Sequence, residues 1–218
     1  MRCVVSVATG KHYCANQDHL REQVRHSGFC LFWRDHLPED SPTHAENPYA
    51  FKPYAIEEAD RAGAGLVLWM DSSVVVLKDL EPLWQLIESQ GYWFSRNYAY
   101  NNGQFCNDEA LAIMGITREQ AFDVPQVVAS CFGLDLRQKI AQDFLKRWKL
   151  LAEAGAFKGD RGDLSGCGDM TKFVGHRNDQ SCAAQVAYEL GMVLTDPPAW
   201  FAEQGHPQSE ETILTLER

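Results

Sequence analysis

Gly65-Leu66-Val67-Leu68-Trp69-Met70-Asp71-Ser72-Ser73-Val74-Val75-Val76 is the stretch whose reading decides the fold. An apolar run with no polar alternation reads as a strand buried on both faces, the habit of a parallel sheet. The run stops at an acid. In open α/β sheets, ligands bind outside the carboxyl ends of the strands, and Asp71 stands at such an end. A carboxylate followed by two hydroxyls can hold a divalent cation and, through it, a phosphate.

Outward from this strand the chain alternates. Cys3–Ala8 reads as a first strand closed by Thr9-Gly10, and Asn16–His26 as a polar helix ending near Gly28. Phe29–Trp33 reads as a second strand, and residues 34–48, with three prolines, as a loop. Tyr49–Ala62 reads as a helix whose regular part starts at Pro53. Strand, helix, strand, helix, strand within the first 70 residues predicts a parallel α/β sheet.

Further on, Gly91–Ser95 reads as a short strand and Tyr98–Asn107 as an amide-rich loop over the site. Asp108–Met114 reads as a helix and Gln126–Leu136 as a strand. Ile140, Phe144, Trp148 and Leu151 mark an amphipathic helix. Residues 155–172 read as a polar loop, a helix follows Asp179, and the tail from Pro197 reads as loop. Neither a repeat nor a linker divides the chain, so residues 1–218 are expected to form one α/β domain with a mostly parallel central sheet flanked by helices.

The bulk numbers narrow the partners. A chain of 218 residues, 45% hydrophobic and 23% charged, suits one globular domain with a real core. A net charge of −10 works against a broad nucleic-acid face. Seven cysteines, an odd number without a C-x-x-C, argue against a zinc knuckle or a complete disulfide framework. Reduced thiols in a cytoplasmic location are expected. The N-terminal apolar run is too short for a signal peptide, and no stretch approaches the length of a membrane span.

Leu68-Trp69-Met70-Asp71-Ser72-Ser73-Val74, followed by Leu77-x-x-Leu80-x-Pro82-Leu83-Trp84, resembles the metal-binding segment of GT-A glycosyltransferases, where a strand ends in Asp-x-Asp. Lys52-Pro53-Tyr54-Ala55-Ile56 resembles the basic helix that precedes that strand. Gly175-His176-Arg177-Asn178-Asp179-Gln180-Ser181 is similar to the Asp-Gln helix start found later in such enzymes, including small bacterial and phage-type members. The sharp motifs cover about thirty positions, and the order of elements extends over most of the chain.

The resemblance implies a Rossmann-like GT-A domain that transfers a sugar from a nucleotide-diphosphate sugar to an acceptor. It implies that Ala8, Thr9 and Tyr13 meet the nucleotide, that Lys52 contacts phosphate or nucleotide, and that Asp71, Ser72 and Ser73 face the diphosphate. Asp71 and Ser73, with His206 near the C-terminus, would hold Mn²⁺ or Mg²⁺. One departure stands out: Ser73 occupies the place of the family's second Asp and is a neutral, weaker ligand for a hard cation.

Asp179 would act beside the sugar, as general base in an inverting enzyme or as a stabilising carboxylate in a retaining one. Gln180 belongs to the same motif, Arg177 would clamp a phosphate or an acceptor carboxylate, and His176 would contact phosphate or metal. A plainer reading makes Asn178 or Asp179 the helix N-cap. Trp93, Tyr98, Tyr100, Asn101, Asn102 and Gln104 suit sugar contacts.

Three other readings stay open. A phage-type member would glycosylate a modified DNA base, the one route by which nucleic acid enters as a partner. A non-catalytic nucleotide-sugar binder fits the weakened metal pair. A phosphatase-like hydrolase would use Asp71 as nucleophile, but usually carries a second acid two residues later.

Overall fold

The computed structural model describes residues 1–26, 29–160, 162, 173–203 and 205–216. Gly28 and the later part of the 155–172 loop, both read from the sequence above, lie outside the described residues.

The core is a five-stranded sheet of β1 (Arg2–Ala8), β2 (Phe29–Arg34), β3 (Leu66–Met70), β5 (Tyr92–Asn101) and β6 (Pro125–Asp135), in the order β2-β1-β3-β6-β5. β1 pairs in parallel with β2 and β3, whereas β6 runs antiparallel to β3 and β5. Four strands therefore point one way and β6 opposes them. A second, three-stranded sheet, in the order β4-β8-β7, joins β4 (Val74–Val76), β7 (Phe201–Ala202) and β8 (Leu214–Leu216). The valines after Asp71 thus form a separate short strand, and the tail expected as loop contributes two more.

Alternation along β3 builds two cores. Leu66, Leu68 and Met70 face one way, with Leu20 and Val24 of α1 (Lys11–Val24) and Leu83, Trp84 and Ile87 of α3 (Glu81–Gln90). Val67 and Trp69 face the other way. There they meet Ala55 and Ile56 of α2 (Phe51–Arg61), Phe144 and Trp148 of α7 (Lys139–Glu153), and Cys182 and Val186 of α8 (Asn178–Glu189). Pro53 sits in the first turn of α2, where its missing N–H costs nothing.

The region between β5 and β6 is more helical than the sequence suggested. β5 continues through Asn101, and α4 (Asn102–Phe105), α5 (Asp108–Met114) and α6 (Arg118–Phe122) follow. Asn101 and Gln104 form a reciprocal capping box on α4, Asn102 is fully buried, and Trp93 lies in the core at 1% exposure. Trp93 and Asn102 thus pack in the interior, whereas Tyr100 is 45% exposed.

Gly133 in β6 has a specific reason to be glycine. A Cβ there would lie 2.2 Å from Cδ1 and 2.5 Å from Cγ1 of Ile87, itself fully buried. Gly133→Ala is expected to cost about 1–3 kcal/mol through overpacking. Urea unfolding checks this, and Ile87→Val in the same chain should recover part of the loss.

Candidate active site

β1 lies between β2 and β3, so the chain leaves it first to one side and then to the other. Such a switch point opens a crevice at the strands' carboxyl ends. A cavity of about 500 Å³ lies there. Val7, Thr9 and Tyr13 bound it from the end of β1 and the start of α1. Asp71, Ser72 and Ser73 bound it from the end of β3, and Val128, Ala129 and Ser130 from β6. Arg177, Asp179 and Gln180 close it from the start of α8.

Local geometry explains each placement. Gly10 adopts φ 86°, a left-handed value that suits glycine, and turns the chain from β1 into α1. The Asp71 backbone N–H donates to the Ser130 carbonyl at 2.7 Å, and the Val74 N–H donates back to Asp71 at 2.9 Å, closing a turn that presents Ser72 and Ser73. The indole of Trp148 donates to the Asp179 carbonyl at 3.0 Å, so α7 pins the first turn of α8.

Lys52 is the centre of the site. It is 98% buried, and its Nζ lies 2.8 Å from Asp179 Oδ2, 3.0 Å from Asp71 Oδ1 and 2.9 Å from the Ala129 carbonyl. An ammonium has three N–H groups, and three oxygens of the protein face them. Tyr49 and Trp69 flank it, with ring centroids at 5.2 and 5.3 Å. Burial alone would lower the lysine's pKa, but the Asp179 and Asp71 carboxylates outweigh it and push it up to about 12. Lys52 is thus a charged clasp that ties α2, β3, β6 and α8 together, and its N–H groups are committed within the protein.

Asp71 keeps a side-chain exposure of 30% toward the cavity, against 2% for Asp179. Its Oδ1 also accepts from the Trp69 indole at 2.8 Å. That oxygen is engaged, and the other carboxylate oxygen and the Ser73 hydroxyl remain as donors for a cation. Among the described residues, no group of three or more His, Cys, Asp or Glu side chains is placed to hold a metal. This donor set fits a cation shared with a substrate's phosphates, as Mg²⁺ sites commonly are, rather than one held by protein alone.

The other sequence-derived candidates separate. Ala8 is buried behind the cavity, and its carbonyl accepts from the Asp35 N–H at 2.9 Å. His206 is not among the described lining residues; its ring stacks on Tyr98 with centroids 4.2 Å apart. His176 is 99% buried between the Asn107 N–H, 3.3 Å from Nδ1, and the Ala156 carbonyl, 3.2 Å from Nε2, which makes it a structural brace. Neither Asn178 nor Asp179 caps α8. Arg177 holds that position, its side chain making no capping bond to the helix, and Asn178 instead donates to the Phe157 and Gly159 carbonyls at 2.7 and 2.9 Å. Arg177 lies over the Phe105 ring at 4.9 Å.

Sequence reading missed His12, Asn16, His44, Tyr49, Phe51 and Glu203 in the cavity wall. Asn16 lies three residues after Tyr13 and four after His12 on α1, a spacing that could have flagged it.

No protein-family model and no curated protein matches the sequence. Solved structures do. A glycosyltransferase involved in glycosylation of the PBCV-1 major capsid protein is 13% identical with a TM-score of 0.58, over 98% of this chain and 91% of that one. The galactosyltransferase LgtC, solved with donor and acceptor sugar analogues, is 12% identical with a TM-score of 0.53, over 98% and 86%. Mouse xyloside xylosyltransferase 1 is 10% identical with a TM-score of 0.56, over 99% and 97%. Across nearly its whole length, this chain has the GT-A fold of glycosyltransferases, an α/β architecture with a mostly parallel central sheet.

Proposed function

We propose that residues 1–218 act as one glycosyltransferase domain that transfers a sugar from a nucleotide-diphosphate sugar to an acceptor. The observation that carries this is the Lys52–Asp71–Asp179 cluster at the floor of a cavity large enough for such a donor. One carboxylate opens toward the β3 end, where the diphosphate would lie. The other is held rigidly at the α8 end, where the sugar would lie.

In this reading Thr9 and Tyr13 meet the nucleotide, and Ser72 and Ser73 face the diphosphate. Asp179, with its charge fixed by Lys52, stabilises positive charge that develops on the sugar. Arg177 supplies positive charge to the leaving phosphate. The cavity wall holds three carboxylates, Asp71, Asp179 and Glu203, against two permanent cations, Lys52 and Arg177. A diphosphate adds further negative charge, so Mn²⁺ or Mg²⁺ held by Asp71 and Ser73 would enter with it. When bound, that ion neutralises charge on the departing diphosphate.

The six free cysteines among the described residues support a reducing, cytoplasm-like compartment. Among the described residues no helix is long and apolar enough to cross a membrane.

The test is release of nucleoside diphosphate from a panel of nucleotide sugars, with Mn²⁺ or Mg²⁺ and with sugar acceptors or water. Release that depends on the wild-type chain is expected for at least one donor. Binding without release would identify a nucleotide-sugar binder and overturn the enzymatic assignment.

A further inference from the structure

We infer that Gln126 decides which atom of the Gln180 carboxamide faces the cavity, and that this atom is the oxygen. The inference rests on the glycosyl-transfer reading for its chemical meaning, but not for its geometry.

Hydrogen-bond polarity gives the direction. The Ser181 hydroxyl donates its single proton to the Phe105 carbonyl at 2.6 Å. It must therefore accept from Gln126 Nε2, 3.3 Å away. Asn102 Nδ2 donates to the Ser181 carbonyl at 2.9 Å, which turns Asn102 Oδ1 toward the same Gln126 nitrogen. Two backbone carbonyls, which can only accept, thus fix the Gln126 amide with its oxygen on the remaining side. Gln180 Nε2 donates to that oxygen at 2.8 Å. Gln126, Asn102 and Ser181 are fully buried, so water does not compete for these bonds.

Gln180 itself is partly exposed and lines the cavity. Its nitrogen is turned inward, and its oxygen is the fork left for the cavity. An amide oxygen carries partial negative charge and accepts hydrogen bonds. Beside Asp179 it suits a sugar hydroxyl, or the positive charge that grows on a sugar carbon as its bond to phosphate breaks. An amide NH₂ there would have the wrong sign. Gln126 is not among the residues lining the cavity, so it acts through Gln180 as a positioning residue.

The first experiment needs no substrate. Gln180→Glu sets a second oxygen against the pinned Gln126 oxygen, so the new carboxyl stays protonated in the folded chain. Unfolded, it ionises above about pH 4.3. A folded pKa raised above the unfolded one means stability is lost as pH rises between the two. The Tm deficit of Gln180→Glu against wild type should therefore widen from pH 5 to pH 8. Asp71, Asp179, Glu203, Lys52, Arg177, His12 and His44 share the cavity with position 180. Comparison of Gln126→Met with Gln126→Met/Gln180→Glu cancels their contribution. The widening should shrink in that background; a deficit flat with pH, or widening equally without Gln126, would overturn the inference.

The second experiment uses a nucleotide sugar that the wild-type chain turns over. Gln126→Met should lower kcat tenfold or more at unchanged KM, and an unchanged kcat would overturn the positioning role. If no nucleotide sugar reacts with the wild-type chain, the proposed function fails, while the Tm comparison still decides the orientation of Gln180.

Discussion

Lys52→Met should destabilise the chain by about 3–5 kcal/mol, the loss typical when one partner of a buried ion cluster is removed. Methionine preserves most of the side-chain length and fits among Tyr49 and Trp69. What it removes is the charge that allows Asp179, 2% exposed, to remain ionised in the interior. The uncompensated carboxylate then carries its full desolvation cost. The loss should shrink as pH is lowered, because protonation of the buried acid removes that cost. Lys52→Met/Asp179→Asn should recover a large part at neutral pH for the same reason. In the wild type the pH dependence moves to the alkaline range. The lysine's pKa stands at about 12 against an ordinary 10.5, so its contribution is complete below 10.5 and fades only as pH rises through 12. Urea unfolding of the three chains at pH 5, 7 and 9 measures the effect of both substitutions, and a wild-type series carried to pH 11 follows the lysine. A loss below about 1 kcal/mol for Lys52→Met would show that the cluster is not the keystone of the site.

Asp179→Asn should keep the fold at some cost in stability, because Lys52 retains only Asp71 as a charged partner, and reduce turnover of a nucleotide sugar by about 10²–10³-fold. Asparagine keeps an oxygen for Lys52 and the same shape. The Trp148 indole bonds to the backbone carbonyl of residue 179, so the turn stays pinned. Only the negative charge is lost. A fall in kcat at nearly constant KM would mean the charge acts mainly in the transition state. A rise in KM alone would mean that Asp179 binds the ground state, contrary to the role assigned here.

The part of the fold legible in sequence is the part set by local pattern. The apolar run Leu66–Met70 could only be buried, and α7 carries its core residues at helical spacing. Asp71 and Asp179 were legible as acids at element ends, and the structure brings both to one lysine. The direction of β6 was not legible. A strand buried on both faces shows a continuous apolar run whichever way it points, and Pro125–Asp135 has such a run. The small sheet was missed because strands of two and three residues carry no period. The commitment of Lys52 was also hidden. The resemblance implied a phosphate or nucleotide contact, whereas its three oxygen partners come from segments up to 127 residues away (179 − 52). Gln126 read as the start of a strand and Asn102 as a sugar contact; only their tertiary pairing gives them direction.

The most direct measurement is thermal unfolding of the wild-type chain and Asp71→Ala against a panel of nucleotide-diphosphate sugars, each with and without Mn²⁺ or Mg²⁺. A ligand present at a hundred times its Kd adds about 2.7 kcal/mol of stability. For a chain of this size that raises Tm by roughly 5–10 °C. At least one donor should produce such a rise in the wild type, larger with the metal, and lose it in Asp71→Ala. No rise with any donor, or an equal rise in both chains, would contradict a nucleotide-sugar site built on Asp71.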